Sequence, residues 1–233
     1  ELLPAGADPR EIPDWAAHIP DFRVAEGDDV SAGRVGWAFT VPVADTGVYL
    51  RWLAGRFGEN GGAMEMRRIA SLDEAAAEAP LVVNCTGLGA RELVNDAEMR
   101  PVRGQVMRVE NPGLARFWLD EHHPDGLLYI IPRRGDCILG GTAEVGEEDT
   151  THNLAVAEAI RRRCAELEPE LAGARVLEHR VGLRPWRPAV RLEAEFLPGG
   201  ATVIHDYGHG GAGVTLSWGC AETVVQLASA IPG

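Results

Sequence analysis

A glycine-rich run near the end of the chain constrains the fold more than any other feature. Residues 207–215 read YGHGGAGVT, with four glycines in six residues, and lead into an apolar-periodic segment. Glycine allows left-handed backbone angles and close approach of another molecule. The start of a helix adds unpaired N–H groups and the positive end of a dipole. The run therefore predicts a site that favours negative charge, rather than a plain turn.

Composition and charge limit the classes of protein to which the chain can belong. The chain has 233 residues, enough for one large domain or two interleaved ones, and its hydrophobic content of 45% is typical of globular proteins. The net charge of −13 argues against a nucleic-acid surface. No apolar run approaches the roughly 20 residues needed to span a membrane. We therefore expect neither nucleic acid nor membrane as a partner.

Cysteine and histidine spacing argues against disulfides and metal. Four cysteines lie far apart in the chain, which predicts reduced thiols in a reducing compartment. His205 and His209 have an i, i+4 spacing, but the glycines around them break the helix that would align them, so we expect no metal. Because we find neither a signal peptide nor a C-terminal peroxisomal signal, we expect a cytoplasmic protein.

Apolar periodicity predicts the main elements. Helices are predicted over residues 46–58, 152–167 and 214–230. Strands are predicted over residues 64–69, 81–85, 176–183, 190–196 and 202–205. Ser71 and Glu74 form a capping box.

The last helix has an apolar face that we expect to be buried, formed by Val214, Trp218, Ala221, Val225 and Ala228. The basic run 161–163 lies among glutamates and predicts a solvated helix face.

The order of elements predicts two interleaved parts. Residues 81–85 form an apolar strand of the kind buried in a parallel sheet, whereas the middle of the chain has runs punctuated by Pro and Gly, typical of an antiparallel sheet. We predict a mainly substrate-binding domain from residues 1–45 and 100–183. We predict a mainly nucleotide-binding domain from residues 46–99 and 184–233.

Three further segments leave two interpretations open from the residues alone. Residues 83–87 end a strand and turn into a helix, which is either an ordinary turn or a ligand-binding sheet edge. Tyr129 lies in the apolar run 128–132 and either caps a core or lines a pocket. Arg184 and Arg187 each precede a proline, so they are either surface residues of a loop or rigid groups that grip a carboxylate bidentately.

Five segments taken together resemble the D-amino-acid oxidase family of flavoenzymes. In order they are VNCTG at 83–87, RGQV at 103–106, YIIP at 129–132, GLRPWRP at 182–188 and YGHGGAG at 207–213. The resemblance implies an α/β fold of the mixed α+β kind, in which an incomplete Rossmann-like FAD-binding domain is interleaved with an antiparallel-sheet substrate domain. It also implies FAD-dependent oxidation of neutral D-amino acids by dioxygen, giving 2-oxo acids, ammonia and hydrogen peroxide.

The resemblance implies roles for particular residues. Arg184 would pair with the substrate carboxylate, Tyr129 would add a hydroxyl hydrogen bond to it, and the Gly211 carbonyl would accept from the substrate amine. These three are the implied catalytic residues. The implied FAD contacts are Arg68, Ile69, Thr86, Arg184, Gly210, Gly211, Gly213, Val214 and Thr215.

The chain departs from the family pattern in one large respect. The G-x-G-x-x-G segment that binds the FAD pyrophosphate does not occur, so the chain resembles a family member without its first ~80 residues. We expect FAD binding to fail if that segment is absent, and to be possible if it stays docked as an N-terminal fragment of the same protein. The sequence leaves the oligomeric state open, with a homodimer as one alternative. The alternatives are D-aspartate oxidase, glycine oxidase, or a catalytically silent fragment that only packs with a partner.

Overall fold

The computed structural model describes residues 1–30 and 33–231, which form two compact units. The first unit comprises Glu1–Met64, Gly104–Ala143 and Thr151–Val181. The second comprises Glu65–Arg103, Glu144–Thr150 and Gly182–Gly233. Each unit is therefore built from three separate stretches of chain. Which unit binds substrate and which binds cofactor stays a prediction.

The described residues form ten strands and five α-helices. The strands are β1 (Arg23–Val24), β2 (Trp37–Ala38), β3 (Leu81–Asn84), β4 (Arg100–Glu110), β5 (Trp118–Asp120), β6 (Leu128–Pro132), β7 (Asp136–Gly140), β8 (Glu144–Val145), β9 (Val176–Phe196) and β10 (Thr202–His209). The helices are α1 (Thr46–Glu59), α2 (Leu72–Ala76), α3 (Ala90–Leu93), α4 (Leu154–Leu167) and α5 (Gly213–Ser229).

The first unit is an antiparallel sheet covered by a helix. Strands β4, β7, β6 and β5 lie side by side, as the Pro- and Gly-punctuated runs predicted. Helix α4 begins at Asn153, whose side chain accepts hydrogen bonds from two backbone N–H groups of the first turn. It packs on β6 and β7. The apolar core between them includes Met107, Leu128, Ile130, Leu139, Ile160 and Cys164.

One residue of the basic run lies on the buried side of α4. Arg163 is 5% exposed, and its guanidinium donates to the carbonyls of Leu127 and Gly141, each at 3.1 Å. It shares a helix face with Ile160, three residues earlier. The prediction that the whole run is solvated was therefore wrong at Arg163, because helical periodicity outweighs the local charge pattern there.

The second unit contains the parallel strand pair. β3 pairs parallel with β10, placing Val83 opposite Ile204 and Asn84 opposite His205, and β10 pairs antiparallel with β9. The predicted strands 176–183 and 190–196 form the single strand β9. Its pairing with β10 has an irregularity between Tyr207 and His209. There the Pro185 carbonyl still accepts from Gly210 N–H at 2.8 Å, so a proline is accommodated without interrupting the strand.

Two predictions from periodicity were wrong. Residues 64–69 form no regular structure, and Met64 and Met66 are exposed, because no strand among the described residues pairs with them. The predicted inner face of the last helix is open: Val214, Trp218 and Val225 are 49–67% exposed. The helix and its periodicity are correct, but in the described part of the chain little packs against that face.

Candidate functional site

The glycine-rich connection joins β10 to α5 within the second unit. Gly208 and Gly210 have φ of 90° and 57°, in the left-handed region that favours glycine. A Cβ at Gly208 would also lie 2.8 Å from the Cβ of Arg187. Ala212 occupies the N-cap of α5, and no side chain caps the helix. The first turn therefore presents N–H groups and the positive dipole end at a surface where Gly211 is exposed.

Arg184 lies beside this connection. A Cβ built on Gly211 would be 3.6 Å from Arg184 Cδ and 3.8 Å from its Nε, so the arginine stem runs along the Gly211 backbone. Arg187 has a different environment. Its Nε donates to Asp96 at 3.0 Å, and its guanidinium lies 2.5 Å from Glu98. Trp186 thus lies between two arginines with different surroundings. Arg187 forms structural ion pairs, and Arg184 lies beside the glycine run.

The end of β3 is fixed by a buried polar chain. The backbone N–H and the hydroxyl of Thr86 donate to Asn84 Oδ1 at 3.2 and 2.8 Å. Asn84 Nδ2 lies 3.2 Å from His205 Nδ1, and His205 Nε2 lies 3.1 Å from Glu195. Burial, then the Arg191 cation, lower the pKa of His205. A neutral imidazole with its proton on Nε2 satisfies both contacts, so His205 fixes Asn84, which in turn fixes Thr86.

A second cluster of polar side chains links β10 to β9. The Tyr207 hydroxyl donates to Asp96 at 2.8 Å and accepts from Arg191 at 3.1 Å. Burial opposes ionisation of Asp96, but the Tyr207 hydroxyl and the Arg187 guanidinium hold its pKa below the usual range. Asp96 is therefore an anion that ties β9 and β10 together.

Sequence reasoning missed Asn84, Asp96 and His205 as supporting residues. The detectable signal was a polar side chain at the end of each apolar run, at Asn84 and at His205. Their pairing depends on the parallel register of β3 with β10, which a single sequence does not specify.

Tyr129 belongs to the first unit. It lies on β6, half-buried, with its ring over the Gly140–Gly141 pair. A Cβ at Gly140 would overlap that ring, and one at Gly141 would lie 2.8 Å from the hydroxyl oxygen. The ring therefore packs over two buried glycines, which leaves both interpretations of Tyr129 open. Its role beside Arg184 and Gly211, which belong to the second unit, stays a prediction.

The remaining implied FAD contacts lie in the second unit. Arg68 is exposed, 3.9 Å from Glu92, and Ile69 is half-buried in the segment without regular structure. The place of Arg68 and Ile69 beside FAD stays a prediction. Positions at the strand end and at the start of α5 are exposed or half-buried: Thr86, Gly210, Gly211, Gly213, Val214 and Thr215. An uncapped helix start at a surface where Gly211 is exposed fits the anionic edge of a flavin.

Comparisons with known proteins give a consistent result. The family model described as FAD dependent oxidoreductase (DAO) matches residues 15–227. The chain is 55% identical over 219 residues to a D-amino-acid oxidase of Rubrobacter xylanophilus, covering 94% of this chain and 67% of that protein. It is 51% identical over 221 residues to one of Streptomyces coelicolor, covering 94% and 68%. The chain thus spans about two thirds of these relatives' length.

Solved structures support the fold. The glycine oxidase from Bacillus cereus aligns with a TM-score of 0.55 at 23% identity, over 63% of this chain and 42% of that one. An identity this low bears on the fold alone, and the predicted mixed α/β class is confirmed. Crossing a bilayer takes a long apolar helix, and none of the helices in the described ranges qualifies.

Proposed function

This chain belongs to the DAO family of FAD-dependent oxidoreductases, as its five segments predicted, and from that premise we propose that it carries the substrate-gripping and flavin-facing part of a D-amino-acid oxidase. The reaction is oxidative deamination of neutral D-amino acids to 2-oxo acids and ammonia, with dioxygen reduced to hydrogen peroxide. FAD, when bound, supplies the redox chemistry by accepting a hydride.

The observation that carries this proposal is the position of Arg184 along the backbone of Gly211. An amino acid is a zwitterion, so a site that orients it needs a cation for the carboxylate and an acceptor for the ammonium. The Arg184 guanidinium grips the carboxylate with two parallel hydrogen bonds, and the Gly211 carbonyl accepts from the amine. Holding both the carboxylate and the amine of the substrate fixes the direction of the Cα–H bond, which differs between the two enantiomers. Such orientation supplies much of the rate enhancement.

The start of α5 supports the same chemistry. Its uncapped N–H groups and dipole stabilise negative charge that develops beside Gly213 and Val214. Thr86, held by Asn84, offers a second fixed polar group at the sheet edge. These residues orient the substrate and stabilise the developing negative charge, so the reaction requires no side-chain base. The hydrogen bond from the Tyr129 hydroxyl to the substrate carboxylate, which the resemblance implies, stays a prediction.

We expect this unit to be completed by a further segment of the same protein. Leu81 and Val83 on β3, and Leu216 and Val225 on α5, are 36–64% exposed, and β3 is an edge strand among the described residues. An open apolar strand edge and helix face suit docking of an N-terminal fragment that carries the pyrophosphate-binding glycines. The intact mass of the purified sample decides whether that fragment is present.

Location and assembly are further parts of the proposal. All four cysteines are free thiols, which suits a reducing compartment such as the cytoplasm. A homodimer is the assembly that we expect, and light scattering of the purified protein tests it.

Three alternatives are separated by simple assays. A D-aspartate oxidase would prefer a second carboxylate in the substrate, and a glycine oxidase would oxidise glycine. A catalytically silent fragment would be colourless, and added FAD would not restore activity. The proposed enzyme is yellow and releases peroxide from D-alanine but not from L-alanine.

Arg184→Ala tests the carboxylate partner in flavin-loaded protein. We expect the apparent KM for D-alanine to rise about 100-fold, because a charge-assisted hydrogen-bonded pair contributes about 3 kcal/mol, while bound flavin is retained. Arg184→Lys keeps the charge but loses the planar fork and should recover part of the loss. Arg162→Ala, at an exposed arginine of α4, is the control. An unchanged KM in Arg184→Ala means that another group binds the carboxylate.

A further inference from the structure

Three potential metal-binding atoms converge beside the glycine run in the second unit. Asp206 and His209 lie at the end of β10, and Cys220 lies on α5. His209 Nε2 is 3.2 Å from Asp206 Oδ1 and 3.4 Å from Cys220 Sγ. One donor atom from each of the three side chains lies within 4.8 Å of the others. All three side chains are largely buried.

The arrangement differs from a catalytic relay. A Cys–His–Asp relay uses both ring nitrogens, one toward the thiol and one toward the carboxylate. Here the single atom Nε2 faces both the thiol and the carboxylate. Asp206 Oδ1 is buried and has no hydrogen-bond partner in the described part of the chain, although Nε2 is only 3.2 Å away. Asp206 Oδ1 and His209 Nε2 are therefore close together without forming a hydrogen bond.

Two of the three separations fit a tetrahedral ion. Ligands bound at 2.0–2.3 Å in a tetrahedron lie about 3.3–3.7 Å apart, close to the two distances from Nε2. Cys85 Sγ at the end of β3 lies 4.0 Å from the other carboxylate oxygen, Asp206 Oδ2, and is not part of the three-atom cluster. A cavity of about 250 Å³ is lined by Cys85, Asp206, His209 and Cys220 among others. The cavity gives an ion both room and access.

We propose that Asp206, His209 and Cys220 bind a thiophilic divalent cation such as Zn²⁺ as three protein ligands. Thiolate, imidazole and carboxylate together are a donor set that zinc prefers. Binding replaces the Cys220 S–H proton with the metal and releases that proton to solvent. The ion would tie the end of β10 to α5 on either side of Gly210 and Gly213. The site requires neither flavin nor substrate.

The two histidines of the i, i+4 pair have different partners. His205 points its two ring nitrogens at Asn84 and Glu195, so it is not available to a metal. His209 instead meets Cys220, eleven positions further along the chain. The predicted absence of a metal site considered the two histidines and not this tertiary pairing.

Metal binding to reduced, chelator-treated protein tests the proposal. In equilibrium dialysis against Zn²⁺ we expect the wild type to retain a single equivalent. Cys220→Ser and His209→Ala should each lose at least about tenfold in affinity. With Co²⁺ in place of Zn²⁺, the wild type should show a sulfur-to-cobalt charge-transfer band that Cys220→Ser lacks. His18→Ala, at an exposed histidine, is the matched control and should bind like the wild type.

Two results overturn the proposal. One is a wild type that retains no zinc, and the other is a set of variants that all bind zinc like the His18→Ala control. Far-UV circular dichroism of each variant shows whether lost binding reflects lost folding. Because the readout is metal content, the result is independent of the proposed oxidase activity.

Discussion

Helices α4 and α5 have similar apolar periodicity but very different surroundings. In the first unit, α4 buries Ala157, Ile160, Arg163 and Cys164 against the antiparallel sheet. In the second unit, Cys220 is the one residue of α5 classed as buried, and Val225 is 64% exposed. A pattern of apolar residues therefore predicts which face of a helix is suited to packing against other apolar groups. It does not say whether the same stretch of chain provides that contact.

The two units differ in the same way as their helices. The first has a continuous apolar core, whereas the buried apolar cluster of the second is small, formed by Ala90, Met99 and Tyr207. Buried hydrogen bonds around His205 and Asp96 hold the strands of the second unit instead. Open apolar surface and buried polar networks are typical of a region that binds ligands and partners. The proposed cofactor contacts lie in this unit.

The largest expected effect is on the covered helix. Ile160→Ala removes a fully buried side chain from the first unit's core and should lower the free energy of unfolding by about 2–5 kcal/mol. Urea unfolding followed by circular dichroism measures the change. A loss well below 2 kcal/mol would show that the core around α4 is less tightly packed than its burial indicates.

A smaller effect is expected from the polar network of the second unit. Since the pKa of His205 is lowered in the folded state, the unfolded chain binds the extra proton between that lowered pKa and about 6.5. The free energy of unfolding therefore falls as pH drops through this window. His205→Gln should reduce this pH dependence, whereas His18→Gln, at an exposed histidine, should retain it. An unchanged pH profile in His205→Gln means that His205 is not held neutral.

The smallest effect is expected on the open helix face. Val225→Ala removes an exposed side chain and places a better helix former in α5, so the free energy of unfolding should change by less than about 0.5 kcal/mol. The same urea titration measures it. Destabilisation comparable with that of Ile160→Ala would show that this face is covered in solution, which would remove the contrast between the two helices.

Much of the architecture could be predicted because it depends on local patterns. The N-cap at Ser71 forms, with Glu74 N–H donating to the Ser71 hydroxyl at 3.2 Å, but the reciprocal half of the capping box does not, because the Glu74 carboxylate accepts from Ala70 N–H at 2.8 Å. The parallel strand at 81–84 and the helix after the glycine run also occur. The segment 64–69 could not be predicted, because alternation gives a strand only where a partner strand lies beside it.

The candidate site was predictable in part. Gly208 and Gly210 are required by backbone angles that the sequence itself signals, and Arg184 stands out by its prolines. The roles of Asn84, His205 and Cys220 could not be predicted, because each depends on a contact with a residue distant in the chain.

The sequence by itself determined the glycine run, the helix that follows it and the family to which the chain belongs, because these depend on residue types in a fixed order. Only the tertiary structure decided that Arg184 runs along Gly211, that Arg187 pairs with Asp96, and that His209 meets Cys220. The physical reason is that strand register and helix packing bring together side chains whose separation along the chain carries no signal.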